Sequence, residues 1–182
     1  MPAHDAADTR PAPAAQDRAA QDRAAQDHRS GPPRPAARPP RSAAQKRADV
    51  LAMLSTQRQL WLASAAGDRA HLIPLAFAWD GATITMVTRE NSKTVRNLAA
   101  AGYARAAIGS PTDVVLVEGP VILADPAQAA PEVKAVLATL PLNPERVPGA
   151  ISVQLTPQRI LAWRDLSEMP GRTVMADGRW LG

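Results

Sequence analysis

Apolar and polar residues alternate in several short segments after residue 58, and short helical patterns separate these segments. In the segment over 82–88, Ile84, Met86 and Thr88 share one face of a predicted strand. Further strands are predicted over 59–65, 71–79, 103–108, 114–123, 150–155 and 158–163. Because the strands are short and joined by tight turns, the pattern predicts a mainly β fold, a small antiparallel barrel of six or seven strands.

Flanking helices are predicted before and within this sheet. Ser42 can cap a first helix that begins at the next residue, and a second helix is predicted over 92–101. In the second helix Val95, Leu98 and Ala99 have the spacing of a buried stripe. These helices are expected to flank the barrel.

Turn-forming residues indicate how the predicted elements connect. Asp80-Gly81 is typical of a two-residue hairpin loop. Gly119-Pro120 interrupts the strand over 114–123 and predicts a bend or bulge. An alanine-rich helix is predicted over 126–139, and the chain over 164–182 is predicted to be irregular.

The first 42 residues are predicted to be a disordered tail that precedes one domain over 43–182. They contain 8 of the 18 prolines, and residues 14–27 repeat the pattern AAQDR. A stretch of this composition cannot bury enough apolar surface to offset the entropy lost on ordering. The remaining residues are numerous enough to form a single core.

Charge is spread over the chain rather than concentrated in a patch. The formal net charge is +4; seven arginines and five aspartates give the tail +2, which leaves +2 for the domain. Aromatic residues make up only 3% of the chain, which argues against a surface that stacks nucleic-acid bases. We therefore expect no specific nucleic-acid partner.

The sequence contains no cysteine, which excludes disulfide bonds, thiolate metal ligands and a cysteine nucleophile. No apolar run is long enough to span a membrane. The N-terminal residues also lack the apolar core of a signal peptide. Together these features predict a soluble, cytoplasmic protein.

The segment over 88–98, TRENSKTVRNL, carries the chemistry of an anion site. The start of a helix presents free backbone N–H groups and the positive end of its dipole. Asn91 or Ser92 can cap this helix, and the hydroxyl of Thr88 or Ser92 can donate to an anion. Arg89, Lys93 and Arg96 place three cations nearby. By spacing alone, the same residues also fit an ordinary solvated helix start, and both interpretations remain open.

The order of these motifs resembles that of the flavin-binding split barrels, the pyridoxamine 5'-phosphate oxidase-like family, and in particular its actinobacterial members. The resemblance extends from about residue 48 to residue 163. The segments that carry it are His71-Leu72-Ile73-Pro74-Leu75-Ala76-Phe77, Asp80-Gly81, Met86-Val87-Thr88, Ser92-Lys93-Thr94-Val95-Arg96-Asn97-Leu98 and Val117-Glu118-Gly119. A C-terminal part with Trp163-Arg164-Asp165 and residues 171–175 is similar to a tail found in those members.

The resemblance implies a split β-barrel that binds FMN or the deazaflavin coenzyme F-420 and transfers hydride to or from a small molecule. It also implies a homodimer. The cofactor ring and ribityl chain are expected to lie along Ile73, Pro74 and Leu75 on one strand and along Met86, Val87 and Thr88 on the next. The phosphate is expected to be held by Ser92 and Lys93, together with Arg89 or Arg96.

Two departures from the family pattern limit what is implied. The family lysine usually falls two residues after the serine, where this chain has Thr94, and Lys93 comes one residue early. The C-terminal Arg-Leu-x-Pro of genuine pyridoxamine phosphate oxidases has no convincing match, so that specific activity is not expected. A non-catalytic flavin carrier or redox sensor is the alternative function.

No catalytic side chain and no metal site are predicted. His71 is the single histidine of the predicted domain, and a metal site needs several converging ligands. Ser64 and Ser92 lack a partner histidine at a suggestive spacing, which argues against nucleophilic hydrolysis. If the protein is an enzyme, its chemistry is therefore expected to reside in the cofactor.

Overall fold

The computed structural model describes residues 39–141, 144 and 147–182. Nine strands and three α-helices are formed by these residues. The strands are β1 (Gln59–Ala66), β2 (Arg69–Trp79), β3 (Ile84–Arg89), β4 (Tyr103–Ser110), β5 (Asp113–Ala124), β6 (Ala150–Leu155), β7 (Arg159–Trp163), β8 (Thr173–Ala176) and β9 (Arg179–Trp180). The helices are α1 (Ala43–Thr56), α2 (Lys93–Ala101) and α3 (Pro131–Leu137), with short 3-10 turns at Pro126–Gln128 and Leu166–Glu168.

Six antiparallel strands close into a barrel, which confirms the predicted fold class. Their order is β4-β1-β2-β3-β6-β5, and β5 pairs back with β4 to complete the ring. Strands β7, β8 and β9 extend the sheet beyond β5. Fully buried apolar side chains such as Leu62, Phe77, Met86, Val117 and Leu155 fill the barrel, and burial of this apolar surface is the main stabilising contribution.

The bend predicted at Gly119-Pro120 is where β5 changes partners. Residues 114–118 of β5 pair with β7, whereas residues 121–124 pair with β6. A Cβ atom at Gly119 would lie 1.9 Å from the carbonyl oxygen of Thr156. The position therefore has no room for a side chain, and glycine allows the two strands to approach closely.

Helix α2 begins and ends as predicted, but its buried face differs. Ser92 is the N-cap, and Gly102 ends the helix with a φ of 64°. The buried residues are Thr94, Asn97 and Leu98 rather than the predicted stripe of Val95, Leu98 and Ala99. The reason is a polar contact with the sheet, because Asn97 Nδ2 donates to Ser64 Oγ of β1 at 3.3 Å.

Three connections differ from the sequence prediction. The loop between β2 and β3 has four residues instead of two, because Asp80 Oδ1 accepts hydrogen bonds from the backbone N–H groups of Ala82 and Thr83. The helix predicted over 126–139 is interrupted before Pro131, whose ring cannot continue a preceding helix. The chain over 164–182 is not irregular, because it contains β8 and β9.

Residues 1–38 of the predicted tail, with the AAQDR repeat, lie outside the described residues. Arg41 is described, is only 8% exposed and belongs to the folded domain. Its Nη2 donates to Glu168 Oε2 at 2.7 Å, and its Nε and backbone N donate to Glu168 Oε1 at 2.9 Å. Its Nη1 donates to Asp49 Oδ2 at 2.9 Å, and Glu168 Oε2 also accepts from the backbone N of Arg164 at 2.9 Å.

This buried ion pair, Arg41–Glu168, joins the start of α1 to the segment between β7 and β8. Hydrogen bonds from the Arg41 side chain lower the pKa of Glu168 from 4.5 to about 2, against the opposing effect of burial. The same contact raises the pKa of the Arg41 guanidinium, so both groups stay charged at neutral pH. This charged, hydrogen-bonded contact thus connects the N-terminal and C-terminal parts of the domain.

Candidate functional site

Strands β2 and β3 separate along most of their length. Only three residue pairs join them: Phe77 with Met86, Ala78 with Thr85 and Trp79 with Ile84. The earlier part of β2, residues 69–76, pairs with β1 instead, and β3 pairs with β6 throughout.

Within the described residues, the facing edges of residues 73–76 and 87–89 therefore have no strand partner. We call this opening the β2–β3 split. Its edges carry unpaired backbone N–H and C=O groups.

The six strand residues that the family resemblance assigns to a cofactor flank this split. On β2, Ile73 and Leu75 are partly buried against the main core, and Pro74 is exposed. A proline fits here because a strand edge without a partner does not need its N–H group.

On β3, the Met86 side chain is fully buried in the barrel, so only its backbone borders the split. Val87 packs instead in the small cluster that also contains Leu137 of α3, on the outer side of the sheet. Thr88 is partly buried and follows the last of the three β2–β3 pairs by two residues. The ring-binding part of the predicted site is thus two strand edges rather than a set of side chains.

Three residues separate the end of β3 at Arg89 from the start of α2 at Lys93, so the free amides of α2 follow the β3 edge of the split closely along the chain. Ser92 Oγ accepts from the backbone N of Val95 at 3.1 Å, and Ser92 O accepts from the backbone N of Arg96 at 3.3 Å. The first helical amides, those of Lys93 and Thr94, have no intrahelical partner. The Ser92 hydroxyl proton is not used by the cap, so it too can be donated to an anion.

The cations near this helix start are not equivalent. Lys93 and Arg89 are exposed. Arg96 is also exposed, but its Nη1 donates to the backbone oxygen of Asn91 at 2.8 Å. Thr94, which occupies the position of the family lysine, is 1% exposed, and its Oγ1 has no hydrogen-bond partner among the described residues. A long charged side chain would not fit there, which makes Lys93 the basic residue of the first turn.

These features together can bind an anion at one end and a flat ring along two strand edges. A phosphate fits the donor set, which consists of a serine hydroxyl, two free amides and one or two flexible cations. The six strand residues predicted to border a cofactor ring include no acid and no base. Among the described residues, no group of three or more histidine, cysteine, aspartate or glutamate side chains is placed to bind a metal, and no helix is long and apolar enough to cross a membrane.

Sequence reasoning assigned no specific role to two residues that prove to be prominent. Trp61 of β1 is 50% exposed and pairs with Pro74 of β2. Asp113 begins β5 and lies 3.6 Å from Arg41 Nη1. The neighbours of these two residues could not be predicted from the sequence, because they depend on the register of the barrel strands.

The sequence matches no protein-family profile and no curated protein. Solved structures do share its fold. A candidate pyridoxamine 5'-phosphate oxidase from Listeria innocua superposes with a TM-score of 0.54 at 18% identity, over 65% of this chain and 98% of that one.

Two further structures show the same similarity. A conserved hypothetical protein from Mycobacterium tuberculosis gives a TM-score of 0.53 at 19% identity, over 64% of this chain and 83% of that one. A FAD-binding protein from Mesorhizobium loti gives 0.53 at 13% identity, over 63% and 89%. At these identities the comparisons show a common split-barrel fold.

Proposed function

We propose that the protein binds FMN or the deazaflavin coenzyme F-420 in the β2–β3 split and acts as an oxidoreductase on a small molecule. The observation that carries the proposal is the position of the capped, cationic start of α2 at the end of the open strand edges. The similarity of the fold to that of a FAD-binding protein supports it. A bound flavin or deazaflavin would supply the hydride chemistry.

The chain's own residues would bind and orient this cofactor. Ser92, the free amides of α2 and Lys93 would hold the phosphate, and the backbone of Ile73–Leu75 and Met86–Thr88 would border the ring. The wall of the split is made of aliphatic side chains and threonine, so it would exclude water without exchanging protons. This fits a reaction in which no protein side chain acts as acid or base.

Titration of the purified protein with FMN and, separately, with coenzyme F-420 tests the proposal. We expect one of the two to bind and to raise the melting temperature, because a ligand specific for the folded state stabilises it by mass action. Absence of a fluorescence change and of a thermal shift with both cofactors would contradict the proposal. Binding without turnover of any substrate by the reduced cofactor would instead support the carrier or sensor function.

We also propose a homodimer that forms through the outer face of the barrel. Three large apolar side chains on that face are strongly exposed: Leu72 at 59%, Tyr103 at 43% and Ile122 at 62%. They lie on β2, β4 and β5, with the small residue Ala63 of β1 opposite Leu72. The strand register places the ion pair of Arg105 and Glu118 among them, opposite Ala63. Exposed large apolar side chains around such a polar pair are typical of a protein–protein contact.

Replacing Leu72 or Ile122 by aspartate should convert the dimer into a monomer, because the dimer would then bury a carboxylate without a partner. Light scattering after gel filtration should give twice the 19.3 kDa chain mass for the wild type and that mass itself for the variants. Leu166→Asp is the matched control, since Leu166 is 78% exposed and lies outside this face. A wild type that is monomeric at all concentrations would refute the assignment.

A further inference from the structure

A cleft of about 550 Å³ opens beside the β2–β3 split, between the end of α1 and the outer face of the barrel. Its volume falls in the range of small-molecule sites, about 300–1,000 Å³. Six of the residues that line the cleft determine which ligand it can bind: Trp61, Pro74, Ala107, Gln57, Gln59 and Asp113. It lies farther along the same sheet face than the proposed dimer surface, toward α1.

The floor of the cleft is an apolar strip of three cross-strand neighbours. Trp61 of β1 pairs with Pro74 of β2 on one side and with Ala107 of β4 on the other. Because Pro74 and Ala107 are small, the indole of Trp61 stands half exposed between them. An exposed indole beside small residues offers a flat face on which a planar ring can stack.

The polar part of the cleft favours a neutral or positively charged ligand over an anion. Gln57 and Gln59 present uncharged amides, and Asp113 presents a carboxylate with 44% of its side chain exposed. Among the residues that the structure describes, the lining contains no lysine, arginine or histidine. Arg41 lies 3.6 Å from Asp113, but its guanidinium is buried and bound to Glu168 and Asp49.

The rim next to Asp113 has a fixed backbone shape. Gly109 has a φ of 89°, and a Cβ atom there would lie 2.3 Å from the carbonyl oxygen of Asp113 and 3.0 Å from Met53 Sδ. Only glycine fits this conformation and this contact. Ser110 pairs directly with Asp113 across the β4–β5 turn. The backbone that carries the Asp113 carboxylate therefore has a well-defined position.

We propose that this cleft binds the substrate of the oxidoreductase, and that the substrate is a planar heteroaromatic molecule that is neutral or cationic and carries no phosphate or carboxylate. The inference rests on the proposed function. Pro74 connects the two sites, because it lies on the edge of the split and also lines the cleft. The anionic end of the cofactor and the substrate would therefore occupy regions of opposite charge preference.

Two probes with the same bicyclic ring test the inference without any cofactor: the cation 4-aminoquinoline and the anion quinoline-4-carboxylate. Calorimetric titration should show that the cation binds about 5-fold more tightly, as expected for a partly exposed carboxylate. Trp61→Ala should weaken binding of the cation about 10-fold through the loss of ring stacking. Leu166→Ala, at an exposed apolar position outside the cleft, should leave it unchanged.

The charge argument has its own variant and control. Asp113→Asn should reduce the preference for the cation to less than about 2-fold, because the carboxylate is removed while the shape is kept. Asp68→Asn, at the exposed turn between β1 and β2, should preserve the preference. Equal or tighter binding of the anion to the wild type would overturn the inference, as would unchanged binding by Trp61→Ala.

The result can be separated from that of the cofactor titration. If FMN or the deazaflavin binds but 4-aminoquinoline does not, the inference is overturned and the proposed function stands. If the probe binds as expected but neither cofactor does, the cleft remains a binding site for aromatic cations and its role as a substrate site is overturned. Binding of both, with the stated effects of Trp61→Ala, supports both proposals.

Discussion

Replacing Arg41 by methionine should lower the free energy of unfolding by about 3–5 kcal/mol, the usual cost of removing one partner from a buried ion pair. Arg41 supplies three of the hydrogen bonds to the Glu168 carboxylate, of which the backbone bond alone remains in the variant. Glu168 is 2% exposed. The variant therefore leaves a buried carboxylate with an incomplete set of donors.

Urea denaturation followed by tryptophan fluorescence measures this effect. Arg58→Met is the matched control, because Arg58 is exposed and a surface substitution typically changes stability by less than about 0.5 kcal/mol. The double variant Arg41→Met/Glu168→Met should lose less stability than Arg41→Met alone, since it buries no unpaired charge. Equal free energies of unfolding for Arg41→Met and Arg58→Met would show that the ion pair does not stabilise the domain.

The same ion pair predicts a pH dependence. A carboxyl group whose folded pKa is depressed stabilises the fold fully above its unfolded value and loses this contribution as the pH falls toward the folded value. For Glu168 the window extends from pH 4.5 down to about 2. The wild type should lose stability across this window, and the loss should be smaller in Arg41→Met, where the pKa of Glu168 is no longer depressed by that side chain.

Local patterns in the sequence were sufficient for much of the fold. Alternation identified the core strands, and Ser42 and Ser92 marked the starts of α1 and α2 because a capping side chain acts within three residues. The C-terminal hairpin was missed although Asp177-Gly178 is a hairpin signal of the same kind as Asp80-Gly81. There Asp177 and Gly178 have φ values of 50° and 73°, as such a turn requires.

The features that escaped prediction depend on contacts distant in sequence. Arg41 and Glu168 are 127 residues apart, and nothing near either residue indicates that they meet. The buried face of α2 was assigned from apolar spacing, but Asn97 is buried because Ser64 lies opposite it on β1. A hydrogen bond between distant elements can bury a polar residue such as Asn97. The helical hydrophobic pattern does not indicate this, because it reflects only the transfer of apolar side chains from water.

Only part of the candidate site was predicted, because its other features also depend on contacts distant in sequence. The start of α2 is a local feature, so a cap at Asn91 or Ser92 and the nearby cations could be predicted from TRENSKTVRNL, and the structure places the cap at Ser92. The split itself arises because β2 changes its partner from β1 to β3 at Ala76–Phe77. A change of partner is a property of the register, and a single strand sequence does not encode which neighbour it pairs with.

Replacing Lys93 by alanine should weaken the binding of FMN or the deazaflavin about 10–100-fold, because a hydrogen bond to a charged group contributes about 1.5–3 kcal/mol. Lys93 is the first residue of α2, is exposed and adds its charge to the positive end of the helix dipole. Thr94 is buried, and the guanidinium of Arg96 is already bound to the backbone oxygen of Asn91, so we expect neither to replace Lys93.

Arg89→Ala should have a smaller effect, at most about 5-fold, the size of a solvent-exposed ion contact. Residues of β3 alternate between its two faces, so Arg89 shares the face of Thr85 and Val87, on the side of α3. Thr88, on the other face, borders the split. If Arg89→Ala costs more affinity than Lys93→Ala, the phosphate is bound from the strand rather than from the helix.

Riboflavin, which has the ring of FMN but no phosphate, makes this prediction specific. Lys93→Ala should bind riboflavin as well as the wild type does, whereas its affinity for FMN should fall about 10–100-fold; for the deazaflavin, the dephosphorylated chromophore serves the same purpose. Arg58→Ala, which changes the net charge equally at a site away from α2, should bind FMN normally. An equal loss for riboflavin and FMN would mean that Lys93 supports the fold of the split, since only a phosphate contact can distinguish the two ligands.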